Sequence, residues 1–265
     1  MPEITLASFN IHASMDGWGR SYDLLEACRS IDADVVVLQE VFAPLDGVSQ
    51  AGEVAAALGY SCQELPLARS WRRTSPIWHG RGWEPRKHLP SYEKALKVGG
   101  RIARAARPEG YEEGTWGLAL LSRLPVVRTE ALELGRLRRD FTRRAALVVE
   151  VRPREEIAGS SFTVVATHAP HLTSGSLIQL RELRRSLPST ARPAALAGDM
   201  NLWGPPLAAL LPGWRRAVKG RTWPAERPHS QTDHILVTPA VQVLESSVVR
   251  AGNSDHLPVR ARLSW

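Results

Sequence analysis

Polar residues of a few chemical types recur where apolar runs begin or end. Asn10 follows Ile4–Phe9, Glu40 follows Val35–Gln39, His168 follows Phe162–Thr167, and Asp199 and Asn201 follow Ala194–Gly198. Asp233 precedes His234–Val237, and Asp255 with His256 precedes Leu257–Leu263. One such residue alone reads as a turn or a cap. A whole set abutting apolar strands is costly unless the members converge on something. Carboxylates with an Asn amide and imidazoles, and no thiolate among them, suit a hard cation, Mg2+ or Mn2+. Such an ion bridges a phosphoryl oxygen and neutralises the charge that develops during in-line displacement. Imidazole and amide N–H groups can donate to the remaining oxygens. Zinc ranks below magnesium, because the eight histidines include no His-x-His or His-x-x-x-His spacing.

The elements that carry these residues are legible from periodicity. Ile4–Asn10 reads as a strand and Arg20–Ile31 as a helix, with Leu24, Leu25, Cys28 and Ile31 on helical spacing. Val35-Val36-Val37-Leu38 is the continuous apolar run of a strand buried on both faces. Gln50–Leu58 is expected to be helical and to end at Gly59. Further strands are expected at Gly117–Ser122, Ala145–Val151, Phe162–Thr167, Ala194–Ala197, His234–Val237 and Leu257–Leu263, and Cys62 falls in another. Leu177, Leu180, Leu183 and Leu187 form one face of a helix bounded by Thr173/Ser174 and Pro188. Strands outnumber helices, which suggests two sheets packed face to face with helices outside.

The segment from about Leu67 to Glu113 breaks this rhythm. It holds Trp71, Arg72, Arg73, Trp78, Arg81, Trp83, Arg86 and Lys87, then a basic stretch, 91–106, that reads as helical. So long an excursion between strands is often functional, although its tryptophans could simply pack it down. The net charge of +7 suits a phosphate-bearing partner, and Arg-rich composition alone accounts for it equally well. The two cysteines, Cys28 and Cys62, fit neither a disulfide framework nor a zinc site and are expected as free thiols. No stretch approaches the roughly 18–20 apolar residues of a membrane span. Met1-Pro2-Glu3 lacks the basic start of a secretory signal, and the expected location is cytoplasmic.

The blocks ITLASFNIH, VVVLQEV, GLALLSRLPV, TVVATHAP, LAGDMNLW, QTDHILV and NSDHLPV resemble, in order, the motifs of the endonuclease/exonuclease/phosphatase superfamily. The resemblance covers nearly the whole chain, and GDxN together with SDHxP makes it specific. It implies an α/β fold, a four-layer αββα sandwich of two mixed, largely antiparallel sheets with helices outside, as one domain over 1–265 with an insertion at about 67–113. It also implies that Glu40 is the principal ligand of Mg2+ or Mn2+, assisted by Asn10 and Asp255. By the same resemblance Asp199 orients or deprotonates the attacking water, and Asn201 bonds a phosphoryl oxygen. His168 and His256 stabilise the pentacovalent phosphorus, and Asp233 orients His256. The identity of the base is less fixed than membership of the site. Arg144 stands where nucleases of the family present an arginine to a flanking phosphate, a place that Arg143 could equally fill.

Departures narrow the reading. Leu118 replaces a common Asn, and Trp116 replaces the carboxylate that partners the first histidine in pancreatic-type deoxyribonucleases. The Trp-Cys-Asp-Arg signature of inositol polyphosphate 5-phosphatases is missing from QTDHILV. Three functions stay open. One is a nuclease or related phosphodiesterase on nucleic acid, for which Arg and Trp of the insertion would supply phosphate and base contacts. The second is a phosphodiesterase or phosphatase on a small ester, with the insertion as a lid. The third is an inactive binding protein of the same fold.

Overall fold

The computed structural model of the chain describes residues 1–73, 111–135, 137, 142–153, 161–171, 173–187 and 189–265. Two six-stranded sheets form the centre. The first contains β1 (Glu3–Asn10), β2 (Val35–Pro44), β3 (Ser61–Arg73), β4 (Tyr111–Ser122), β11 (Gln242–Val248) and β12 (Val259–Ser264), in the order β11-β12-β1-β2-β4-β3. The second contains β5 (Val126–Gly135), β6 (Arg144–Val151), β7 (Phe162–His168), β8 (Ala194–Asp199), β9 (Arg215–Arg216) and β10 (Asp233–Val237), in the order β5-β6-β7-β8-β10-β9. Each sheet has one parallel pair at its centre, β1 with β2 and β7 with β8. Among the described residues the α-helices are α1 (Leu24–Ile31), α2 (Gln50–Leu58), α3 (Thr173–Ser186) and α4 (Gly204–Leu210).

Strand alternation accounts for the layers. In β2, Val35 and Val37 join the core between the sheets, with Ile4, Leu6, Val164, Ala197 and Ile235. Val36 and Leu38 face the other way, onto Leu24, Cys28 and Ile31 of α1 and Val54 of α2. On the far side Val165, Leu196 and Leu236 pack under Leu180 and Leu183 of α3 and Leu207 of α4. The result is the expected αββα stack, and each continuous apolar run is a strand serving two cores at once. Asp23 caps α1 by accepting from Glu26 N, so this helix starts four residues after Arg20. Ser49 caps α2, which ends on left-handed Gly59 as expected.

Two edge strands, β5 and β11, were not legible in the pattern, because most of their residues are exposed and supply no apolar alternation. The ends of the expected insertion belong to β3 and β4, paired in register out to Arg73 opposite Tyr111. Residues 74–110, including Trp78, Arg81, Trp83, Arg86, Lys87 and the expected helix at 91–106, lie outside the described residues. Cys28 and Cys62 are both free thiols, and burial pushes each pKa up to about 12. No described helix is long and apolar enough to cross a membrane.

Candidate active site

The alternation that builds the inner core also aims the polar set. Leu6, Ala166, Ala197 and Ile235 belong to the inner core, and Asn10, His168, Asp199 and Asp233 share their parity on β1, β7, β8 and β10. His168 pairs with Asp199 across β7 and β8, and Asp233 pairs with Asp199 across β10 and β8. Three side chains are thus lateral neighbours on adjacent strands. The close approach of β7 and β8 requires Gly198 in the GDxN block, since a Cβ there would meet Thr167 O at 1.9 Å.

Glu40 has the wrong parity, and a bulge corrects it. Gln39 pairs with Leu118 and Val41 with Gly117, which leaves Glu40 as the extra residue. Its φ of 59° lies in the left-handed region, a conformation that costs a non-glycine residue about 1–2 kcal/mol. The bulge brings Glu40 Oε1 to 3.3 Å from Asn10 Nδ2 and 3.8 Å from His168 Nε2. Asn10 Nδ2 also donates to Asp199 Oδ2 at 3.2 Å, so one amide links the two carboxylates.

Asp199 Oδ2 is the hub. It lies 3.7 Å from His168 Nε2 and 3.8 Å from His256 Nε2, while Asp199 Oδ1 accepts from Asn201 N at 2.8 Å. On the far side of His256, Nδ1 is 2.9 Å from Asp233 Oδ2, which also accepts from Thr232 Oγ1 at 3.0 Å. The NSDHLP loop is tied to the end of β1, because Ser254 Oγ donates to Asn10 O at 2.7 Å and accepts from His256 N at 3.2 Å.

Burial sets the charges. It raises the Asp199 pKa to about 7, helped by the neighbouring Asp233 charge and opposed by His256. Burial works against the Asp233 carboxylate too, but the His256 charge and hydrogen bonds outweigh it and hold the pKa below 3.8. His256 shows the mirror image: burial disfavours its cation, while Asp233 and Asp199 lift its pKa well above 6.5. The pair is therefore a carboxylate and an imidazolium.

Asp255 stands at the edge of the group. Its Oδ1 is 3.5 Å from His12 Nδ1, but that nitrogen already hydrogen-bonds Met15 O at 3.1 Å. Asp255 Oδ1 is buried without a hydrogen-bond partner among the described residues, as an oxygen kept for a cation would be. Asp199, Asp233 and His256 also offer ligand atoms within 4.8 Å of one another and could hold an ion. In that trio His256 Nδ1 is already bonded to Asp233 at 2.9 Å, and an imidazolium has to lose a proton before it can ligate an ion.

Arg144 is buried and Arg143 exposed, so only the former turns inward. Arg144 Nη1 donates to His168 O at 3.1 Å, and its guanidinium lies 5.3 Å from the Trp116 ring centroid. Trp116 meets the His168 ring edge-on at 5.7 Å. In place of a carboxylate, an indole backed by a guanidinium stands against the first histidine. Two residues outside the expected set join the site: His171, whose Nδ1 is 3.1 Å from Asn201 Oδ1, and Trp223, whose ring centroid is 6.4 Å from that of His256. The second histidine of Thr-His-Ala-Pro-His was the available signal.

The model of the Endonuclease/Exonuclease/phosphatase family matches residues 7–256. No curated protein matches the chain. Among solved structures, an endonuclease/exonuclease/phosphatase from Beutenbergia cavernae DSM 12333 is similar, with 21% identity and a TM-score of 0.63 over 99% of this chain and 72% of that one. The human Nocturnin catalytic domain with bound sulfate anion gives 16% and 0.62 over 99% and 93%. ANGEL2, a 2',3'-cyclic phosphatase in complex with adenosine-2',3'-vanadate, gives 15% and 0.61 over 98% and 95%. At these identities the likeness is one of fold.

Proposed function

Because the chain belongs to the endonuclease/exonuclease/phosphatase family and is a phosphoesterase, we propose that it hydrolyses phosphodiester bonds in nucleic acid with Mg2+ or Mn2+. The observation that carries the chemistry is the single carboxylate oxygen, Asp199 Oδ2, set between two imidazoles at 3.7 and 3.8 Å and an amide at 3.2 Å. That arrangement suits a site for one phosphoryl group and one water. Asp199, with its pKa near 7, takes a proton from the water as the water oxygen attacks phosphorus in line. Asn201 Nδ2 donates to a phosphoryl oxygen. The His256 imidazolium, held by Asp233, and the His168 ring face the charge that gathers on the oxygens as the P–O bond to the leaving group breaks.

The cation suits the hard oxygen donors of Glu40, Asn10 and Asp255. When bound there it supplies charge neutralisation at a phosphoryl oxygen. The hard donor set and Asp255 Oδ1, which has no hydrogen-bond partner among the described residues, support this assignment over the Asp199, Asp233 and His256 trio. For the substrate, the net charge of +7 and the Arg and Trp residues of 67–113 favour a polymer with several phosphates. Arg144 is assigned to a phosphate beside the reacting one, since its planar donors suit an anion reached past Trp116.

The test is a metal-dependent screen of bis-p-nitrophenyl phosphate, p-nitrophenyl phosphate, plasmid DNA and RNA. Cleavage of the diester and of a nucleic acid, lost on chelation and restored by Mg2+ or Mn2+, is expected. Cleavage of the monoester alone would move the assignment to small phosphate esters.

A further inference from the structure

Asn201 is held from outside the cluster. His171 lies in the loop between β7 and α3 and is exposed, with Nδ1 3.1 Å from Asn201 Oδ1. The amide has one orientation that satisfies its neighbours. Its Nδ2 sits 2.9 Å from Ala169 O, which can only accept, so Oδ1 faces the imidazole and His171 Nδ1 carries the proton. One Nδ2 hydrogen goes to Ala169 O. Among the described residues the other has only long contacts, 3.4 Å to Asp199 Oδ2 and 3.5 Å to His168 Nε2, and so points into the cluster. The His171 ring lies edge-on to Trp223, with centroids 6.4 Å apart. Trp223 in turn packs against His229 at 5.4 Å and His256 at 6.4 Å. A wall of rings therefore fixes the imidazole that fixes the amide.

We infer that His171 is a positioning residue, which locks the Asn201 amide so that its second N–H is presented to a phosphoryl oxygen. The inference rests on the role assigned to Asn201 above. Asn χ2 is a broad, two-fold torsion. Without the His171 N–H, Oδ1 turns to water and the amide samples orientations in which Nδ2 leaves the cluster. Asn201 cannot compensate through its backbone, which is pinned at φ 46° with its N–H on Asp199 Oδ1.

The experiment compares His171→Ala, His171→Asn, Asn201→Ala and the double variant His171→Ala/Asn201→Ala on bis-p-nitrophenyl phosphate in saturating Mg2+. The inhibition constant of inorganic phosphate and the thermal midpoint are recorded for each. His171→Ala is expected to lower kcat by about 10- to 100-fold, to leave KM nearly unchanged and to weaken inhibition by phosphate. His171→Asn recovers most of the loss, because its amide N–H replaces Nδ1–H. The double variant turns over no more slowly than Asn201→Ala. A kcat for His171→Ala equal to wild type, no recovery in His171→Asn, or additive losses in the double variant would each overturn the inference. If Asn201→Ala lowers turnover and His171→Ala does not, the proposed function stands and only this inference falls. If Asn201→Ala leaves turnover unchanged, the role given to Asn201 fails and the inference with it.

Discussion

Asp233 Oδ2 lies 2.9 Å from His256 Nδ1, with both side chains buried and the opposite imidazole nitrogen turned to Asp199 Oδ2. The imidazolium therefore has a carboxylate on each side, one close and one at 3.8 Å. If the two residues act as one unit, their losses do not add. His256→Ala is expected to lower kcat by about 10^2- to 10^3-fold, Asp233→Asn by less, and the double variant no further than His256→Ala. The pair also stabilises the fold over a defined range. The His256 contribution is complete below its ordinary pKa of 6.5 and fades as pH rises through the raised value. The Asp233 contribution is complete above 3.8 and fades as pH falls through the lowered value. The thermal-midpoint penalty of Asp233→Asn should accordingly be greatest between 3.8 and 6.5. A penalty independent of pH would show that the charged pair is not what the substitution removes.

Asp199 has the opposite linkage. Its folded pKa, about 7, exceeds the ordinary 3.8, so the native state holds a proton that the unfolded chain has lost in between. Stability therefore declines as pH rises through that window, by on the order of 1–4 kcal/mol. Asp199→Asn removes the cost. In metal-free protein its thermal midpoint should match wild type near pH 4 and exceed it at pH 8, while turnover with Mg2+ is abolished. Calorimetry across that range decides the matter; a midpoint that drops at pH 8 would mean the carboxylate is stabilising where it lies.

Strand parity alone would misplace Glu40. The parity of Val36 and Leu38 would send it to the outer core, and only the bulge at Gln39/Val41 brings it to Asn10. Glu40→Gln keeps the shape and removes the charge. Mn2+ affinity by titration calorimetry should fall about 10- to 100-fold, with the metal-free thermal midpoint no lower than wild type. Unchanged Mn2+ affinity would transfer the cation to the Asp199, Asp233 and His256 trio.

Most of the inner-facing set was legible because it needs only strand parity: Asn10, His168, Asp199 and Asp233 each continue an inward-pointing apolar series. The rest needed information that periodicity does not hold. A bulge is a break in register, so nothing in Val35–Gln39 announces where Glu40 will point. Ser254 acts through Asn10 O, 244 residues away in sequence. His171 reaches Asn201 from another loop, 30 residues distant. Edge strands β5 and β11 stayed silent because solvent, rather than a core, faces most of their side chains.

Arg144 can serve the site in two ways that a pair of substrates separates. As a phosphate ligand it matters only for substrates with a flanking phosphate. Arg144→Gln should then raise KM on an oligonucleotide by about tenfold and leave bis-p-nitrophenyl phosphate untouched. If its bond to His168 O and its stacking on Trp116 are its whole function, kcat falls equally on both substrates.

The choice of substrate can be read from salt. Beyond Ala68, strand β3 carries Arg69 and Arg72, the latter with its guanidinium 5.5 Å from the Phe42 ring centroid. A polymer that meets several of these cations releases counterions on binding, and log(1/KM) falls with log salt at a slope of about −0.9 for each phosphate neutralised on duplex DNA. A small ester meets one phosphate and gives a shallow slope. Arg69→Gln and Arg72→Gln should each flatten the slope on DNA by about 1 with no effect on bis-p-nitrophenyl phosphate. A second variant tests the same point. Arg73 and Tyr111 are opposite one another at the ends of β3 and β4, so an Asn-Gly turn in place of residues 74–110 closes the hairpin. That deletion should leave cleavage of bis-p-nitrophenyl phosphate intact and raise KM on DNA. A slope already shallow in the wild-type protein, with no loss of affinity for DNA on deletion, would assign the enzyme to small phosphate esters.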